Sequence, residues 1–176
     1  MAYFVISDIH GSAADLQIVL DKYQAGEFEG LLILGDFLSH GPRNPFPDGY
    51  GPLDCIDLLA PVAHQILAVQ GNCDAHVDES NLPFLMPREN LFFWQGRKVL
   101  LHHGHLYVGH PKLQPGDVFL SGHTHIPTAK KEHGIVYGNP GSISLPKGGY
   151  PKSYAILDDR FTVYDFNDNE LMSIAI

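Results

Sequence analysis

Cysteine is scarce: Cys55 and Cys73 stand far apart in no paired spacing. That excludes a disulfide framework or a thiolate zinc site and suits a reducing compartment. Positive charge is also short, with 11 Lys and Arg against 20 Asp and Glu and a net charge of −9. Nucleic-acid affinity rests on cations neutralising phosphates, so no nucleic-acid polymer is expected as a partner. A small phosphorylated ligand needs only a local cationic site and stays open. Long apolar runs are missing too, with stretches such as Leu31-Leu32-Ile33-Leu34 far below the length of a membrane span. No basic segment precedes the apolar Tyr3-Phe4-Val5-Ile6, which argues against a secretory leader and gives a cytoplasmic expectation. Repeats and low-complexity segments are absent. What remains is 176 residues, 44% apolar and 18% charged. This is enough chain for one domain with a sizeable core and too little for two, so residues 1–176 are read as a single domain. Self-association into a homo-oligomer is compatible with such a chain.

Histidine is abundant instead: six of the 11 fall between His102 and His125. The centre of this cluster is Ser121-Gly122-His123-Thr124-His125, directly after the apolar run Val118-Phe119-Leu120. A strand delivering the chain to a sheet edge, followed by a glycine turn, would present both imidazoles from a loop. On a turning backbone such a pair points apart, so it is suited to giving one ligand to each of two adjacent ions.

The same arrangement recurs along the chain. Residues 2–6 read as a buried strand ending in Ser7-Asp8-Ile9-His10-Gly11. Ser12 can cap a helix with Leu16, Val19 and Leu20 on its apolar face and Gly26 beyond its end. A second buried strand over 31–34 closes in Gly35-Asp36, and a third over 64–69 ends in Gln70-Gly71-Asn72-Cys73-Asp74. Strand, helix, strand with acidic residues at the strand ends is the plan of an α/β fold whose site lies outside the carboxyl ends of its strands. Between them, 39–52 is rich in Pro and Gly and carries His40 and Arg43, a wall or lid for the site. A helix is expected over 54–59. Hairpins follow over 91–94 with 98–101 and over 128–132 with 135–137, the first running into His102-His103-Gly104-His105. The tail segments 153–157, 161–166 and 171–174 alternate like edge strands of a second sheet. Lys130-Lys131 reads as a solvated strand face, and Phe92-Phe93-Trp94 as sheet packing rather than a base-stacking platform.

Asp8, His10, Asp36, Asn72, one of His102, His103 or His105, His123 and His125 therefore share one setting, an apolar run ending in a glycine or a turn. Carboxylate, imidazole and amide oxygen together suit Mn²⁺, Zn²⁺, Ni²⁺, Co²⁺ or Fe. Seven such groups suit two ions, which could clamp the attacking and leaving oxygens of a phosphoryl transfer.

The ordered blocks Asp8-Ile9-His10, Gly35-Asp36, Gly71-Asn72-Cys73-Asp74, His103-Gly104-His105 and Gly122-His123-Thr124-His125 resemble the calcineurin-like metallophosphoesterase superfamily. Within it, the small stand-alone bacterial phosphodiesterases are most similar, a likeness that extends to the loop from His40 to Pro45 and to Asn139-Pro140-Gly141-Ser142. The resemblance implies an α/β fold, a four-layer αββα sandwich of two mixed β-sheets. It implies two divalent metal ions, Mn²⁺ first among them, with Asp8, His10 and His125 on one, Asn72, His103 and His123 on the other, and Asp36 bridging. It also implies hydrolysis of small phosphodiesters by a hydroxide held between the ions. Asp36, Asn72, Cys73, Asp74, His40 and Arg43 are the candidate catalytic residues. Many members carry His where this chain has Cys73, and a thiol is a poor proton donor beside an imidazolium; a small core residue is the plainer reading of Cys73. Two rivals are a protein-binding scaffold, as in a retromer subunit of the same superfamily, and a covalent Asp8 nucleophile of the haloacid-dehalogenase type. Every ligand position is filled, against the first, and His10 stands where the second needs an aspartate.

Overall fold

The computed structural model describes residues 2–106 and 113–176. Two mixed β-sheets pack face to face. The first begins with β1 (Tyr3–Ile6), β2 (Gly30–Ile33) and β3 (Ile66–Ala68), all parallel, with α1 (Ala13–Ala25) connecting β1 to β2 and α2 (Pro52–Leu59) preceding β3. The second contains β4 (Glu89–Trp94), β5 (Arg97–His102), β6 (Val118–Leu120), β7 (Thr128–Glu132) and β8 (Ile135–Asn139), in the order β4-β5-β6-β8-β7. Its centre, β5-β6-β8, is parallel, and an antiparallel strand closes each edge.

Period-two alternation sorts the layers. Phe4, Ile6, Leu31 and Ile33 face the helices, where Leu16, Val19, Leu20, Cys55 and Leu59 meet them. Val5, Leu32 and Leu34 point the other way, onto Val99, Leu101, Val118, Leu120 and Val136 of the second sheet. The near-continuous apolar runs of β1 and β2 follow from burial on both faces. On the far side of the second sheet, Leu100 and Phe119 pack with Leu113.

Ser12 caps α1 as expected, its Oγ accepting from the Asp15 backbone N–H. The third strand starts at Ile66 rather than 64 because Ala60–Gln65 forms a 3₁₀ turn ahead of it. A short helix, α3 (His76–Asn81), was not expected from the sequence. Of the three aromatics in β4, Trp94 is buried between the sheets while Phe93 is exposed. Lys130 and Lys131 are exposed.

The tail corrects the sequence reading. The strands β9 (Ser153–Leu157), β10 (Arg160–Asp165) and β11 (Glu170–Ala175) belong to the first sheet, whose order is β11-β10-β9-β1-β2-β3. Antiparallel pairing places β9 beside β1, Tyr3 opposite Leu157 and Val5 opposite Ala155, so of these three strands β11 alone is an edge. Alternation reveals which faces a strand buries but not its neighbour. Here Tyr154 packs toward the helices, and Ala155 and Leu157 toward the second sheet.

Every parallel strand of both sheets points its carboxyl end to one rim, so six loops converge there. Phe161 of β10 locks the sheets together: fully buried, its ring lies so close to Gly138 of β8 that a Cβ there would sit 2.8 Å from it. Phe161→Ala should cost about 3–5 kcal/mol, read as a lower denaturant midpoint at an unchanged slope; a loss under 1 kcal/mol would mean that the sheets do not depend on this contact.

Candidate metal centre

The loops at this rim are forced into uncommon backbone conformations. Asp8 (φ 56°), His10 (50°), Asp36 (58°), His123 (67°) and His125 (58°) all lie in the left-handed region, which non-glycine residues seldom enter. Such strain concentrates where surrounding structure over-determines a site. Close approach also dictates two glycines: a Cβ on Gly71 would fall onto the Asp36 carboxylate, and one on Gly122 onto the Ser7 hydroxyl.

Three imidazoles are aimed by the same device. Nδ1 of His10 donates to the Ser39 carbonyl (2.8 Å), Nδ1 of His103 to Leu34 (2.6 Å) and Nδ1 of His125 to Leu145 (2.5 Å). A carbonyl only accepts, so each Nδ1 carries hydrogen and each neutral ring turns the Nε2 lone pair inward. Nε2 of His10 and of His125 then stand 3.2 Å apart, and Asp8 Oδ1 lies 3.7 and 3.3 Å from them. That oxygen is buried without a hydrogen-bond partner. Its twin, Oδ2, accepts from the Ser7 hydroxyl (2.7 Å) and the His123 backbone N–H (3.0 Å).

A second group adjoins the first. Asp36 Oδ2 lies 3.6 Å from Nε2 of His10 and 3.4 Å from Nε2 of His103, while Asn72 Oδ1 lies 3.1 Å from the same His103 nitrogen. Asp36 Oδ1 is held by the Cys73 backbone N–H (2.8 Å). The His123 ring lies beside His103, with centroids 5.2 Å apart. Among the described residues, Asp8, His10 and His125, and likewise Asp8, Asp36 and His103, bring ligand atoms within 4.8 Å of one another. First-row ions bind nitrogen and oxygen at about 2.0–2.2 Å, so neighbouring ligands stand roughly 3–3.5 Å apart. The spacing, the orphaned carboxylate oxygen and the facing lone pairs all fit divalent cations.

The titration of these groups tells the same story. Burial would raise the Asp8 carboxyl, but the neighbouring imidazoles of His10 and His125 and the charge of His103 hold it well below the ordinary carboxylate range. Burial opposes charge on His103, yet its bond to Asp36 and the charges of Asp8 and Asp36 lift it to about 9. His10 is raised and Asp36 lowered for matching reasons. Without a metal, protons on imidazole are what balances the two carboxylates.

The remaining candidates fall in different places. Asp74 is buried beneath the site and accepts from the backbone N–H groups of Asp36 (2.8 Å), Phe37 (2.7 Å) and Gly71 (2.7 Å). It clamps the loop after β2 to the loop after β3, and burial together with the charge of Asp36 raises it to about 6. Cys73 lines the cleft above the site, its thiol pushed by burial and then by Asp36 to about 12. Arg43 lines that cleft, a hollow of about 800 Å³ whose walls also include His10, Asp36, Asn72 and His125. His40 does not; its ring packs on Phe46 and Tyr50 at centroid distances of 4.2 and 5.5 Å, and its carbonyl accepts from Asn44. His102 accepts the Gly104 backbone N–H, and His105 keeps a buried, unpartnered Nδ1.

Several contributors were given no role in the sequence reading, although Asn139 and Ser142 lie in a block that carries the family likeness. Ser142 and Ser144 hydroxyls both donate to the Asp8 carbonyl, at 2.8 and 3.0 Å, and Asn139 Nδ2 holds the Gly122 carbonyl at 2.8 Å. The turn after β8 could have pointed to them, since it ends a parallel strand at the same rim. Lys147, also in the cleft, had no such signal.

Strand ends bearing two such donor groups define a metal-dependent phosphoesterase of the calcineurin type, and residues 1–160 match the calcineurin-like phosphoesterase superfamily domain. The chain belongs to that family. It is 41% identical to the phosphodiesterase YfcE of Escherichia coli K12, over 98% of this chain and 96% of that protein. A solved structure of YfcE superposes with a TM-score of 0.97 at 40% identity, covering both chains completely. The chain is also 30% identical to the probable metallophosphoesterase YsnB of Bacillus subtilis, over 97% of this chain and 95% of that one. Vps29 of Entamoeba histolytica shares the fold, with a TM-score of 0.66 at 22% identity.

Metal loading has a definite pH signature. Below about pH 9 His103 carries a proton that a metal must displace, so apparent affinity should rise about tenfold per pH unit between pH 7 and 9 and flatten above. Titration calorimetry of metal-stripped protein in buffers of different ionisation enthalpy would count the released proton; an affinity independent of pH across this range would refute the assignment.

Proposed function

We propose that this chain is a dinuclear metal-dependent phosphodiesterase that hydrolyses small phosphodiesters in the cytoplasm. The observation that carries the reading is Asp36 Oδ2, set between Nε2 of His10 and Nε2 of His103 and so between two donor groups. Asp8, His10 and His125 would hold one ion, and Asn72, His103 and His123 the other, with Asp36 shared. Mixed carboxylate, imidazole and amide donors suit Mn²⁺, Zn²⁺, Ni²⁺, Co²⁺ or Fe, and the family resemblance puts Mn²⁺ first among them. When bound, the pair supplies Lewis-acid polarisation of the phosphoryl oxygens and an activated water.

The chain's own residues do the rest. Asn72 is exposed to the cleft and its Nδ2 contacts Cys73 Sγ at 3.2 Å, so the amide is held with its oxygen toward His103. Arg43 presents a planar fork of donors to an anion in the same cleft. Asp74 keeps Asp36 in place through the backbone and is engaged there on both oxygens. A covalent role for Asp8 fits poorly, because the carboxylate is fully buried behind the histidines.

Asp36→Asn should lose more metal and more activity than Asp8→Asn, since it removes a ligand from both ions. Metal analysis beside turnover tests this; two tightly held ions with near-parent turnover in the Asp36 variant would sink the bridging role.

Leaving-group chemistry gives a second test. A thiol raised to about 12 keeps its proton at neutral pH and is a weak acid, so Cys73 offers the departing alkoxide little help. General acid assistance is typically worth about 10²–10⁴-fold. Aryl diesters should therefore outrun alkyl diesters by a gap of that order, and Cys73→His should narrow it. Rates plotted against leaving-group pKa, with metal content verified, measure the slope; a shallow slope in the parent enzyme would show that another group already donates the proton.

A further inference from the structure

Two cations at the mouth of the cleft exceed what a simple diester needs. Arg43 and Lys147 both line it, both are exposed, and among the described residues neither has an acidic or hydrogen-bonding side-chain partner. Elsewhere Lys22, Lys130 and Lys152 are each paired with a carboxylate, and of the described basic residues without one, Arg43 and Lys147 are the two that line this cleft. In a protein of net charge −9, leaving two basic residues unpaired beside one cleft marks them for a ligand.

Their placement is fixed by the metal ligands themselves. The Lys147 backbone N–H donates to the His125 carbonyl (3.1 Å) while His125 Nδ1 donates to Leu145, so this segment and that histidine hold each other. On the other side, Ser39 accepts from His10 Nδ1 and its hydroxyl accepts from the Gly41 N–H (3.2 Å). Gly41 sits so near Cys73 that a Cβ would come 2.8 Å from its sulfur, which seats the Arg43 loop against the site. His10 and His125 are the pair whose Nε2 atoms stand 3.2 Å apart. Both cations are thus rooted beside one half of the metal centre.

Charge counting then decides what they meet. Two divalent ions against the Asp8 and Asp36 carboxylates and the hydroxide between them leave one positive charge, which the single charge of a diester already matches. Two further side-chain cations suit a substrate with more negative charge.

We propose that Arg43 and Lys147 form a subsite for a second anionic group, and that the preferred substrates are phosphodiesters whose retained alcohol itself carries a phosphate. The proposal rests on the diesterase reading and deepens it. Arg43 offers a bidentate fork and Lys147 a mobile point charge, a combination matched to a terminal phosphate.

A matched pair of substrates tests this on the metal-loaded protein: the 5′-(p-nitrophenyl phosphate) of thymidine with and without a 3′-phosphate. The leaving group and nucleoside are the same, so only the second anion differs. The parent enzyme should prefer the 3′-phosphorylated diester in KM by about tenfold or more, the scale of a charge-assisted contact. Lys147→Ala should shrink that ratio several-fold, and Lys147→Arg should restore most of it. Calorimetry with thymidine 3′,5′-bisphosphate against thymidine 5′-monophosphate should show the same difference without turnover. Equal losses on both substrates would place Lys147 at the scissile phosphate and overturn the subsite, as would no loss on either. Failure of the parent enzyme to cleave any diester, with two metals measured in place, would instead strike at the diesterase reading.

Discussion

The structure depends on a repulsion that it does not itself relieve. Two carboxylates and the Nε2 atoms of three histidines converge on one small volume, with one oxygen of Asp8 buried and unpartnered. Three backbone carbonyls force this outcome, because each takes the Nδ1 hydrogen of a ligand histidine and leaves the other nitrogen facing in. Orienting bonds of this kind raise a ligand's basicity and fix its direction. A cluster of lone pairs held so firmly is stable only around positive charge, whether protons or metal.

That constraint explains the rim. Parallel strands from both sheets deliver their ends to the same side, and each end must turn sharply to bring its polar residue inward. Left-handed backbone at Asp8, His10, Asp36, His123 and His125 is how the turns are made. Strain at five candidate ligand positions is tolerated because the sheets beneath are fixed by an apolar layer that includes Val5, Leu34, Leu101, Leu120 and Phe161. Asp74 and the two serines after β8 complete the hold by bonding to the ligand loops through the backbone rather than by touching the cleft.

Most of this was legible from residue order alone, for a physical reason. A buried strand reads as an apolar run, and a candidate ligand at its end as a polar residue beside glycine, so Asp8, Asp36, Asn72 and His125 could be picked out, while His103 stayed one of three histidines until the family resemblance singled it out. Strand neighbours did not. Nothing in the alternation of 153–157 says that it pairs with β1, because pairing partners are chosen by long-range packing and not by local period. The roles of His40 and Asp74 were likewise invisible, since a side chain's partner depends on which loop lies above or below it. His40 meets Phe46 because the 39–52 loop folds on itself, and Asp74 lies beneath the site because the loops after β2 and β3 close around it.

Fold alone could not have settled the chemistry. Vps29 of Entamoeba histolytica has the same architecture at 22% identity, a likeness that speaks for the fold and nothing more. What separates an enzyme from a scaffold on this frame is whether the donor set is complete and aimed. Here seven candidate ligands stand at one rim, three of them locked by carbonyls and two carboxylates suppressed far enough in pKa to stay charged. Holding such a set costs stability through burial of charge and through backbone strain, and packing would be better served by apolar residues at the same places. That cost is understandable only if the cluster is used. In a chain of net charge −9, Arg43 and Lys147 at the cleft lined by His10, Asp36 and His125 then give an anion a local cationic setting.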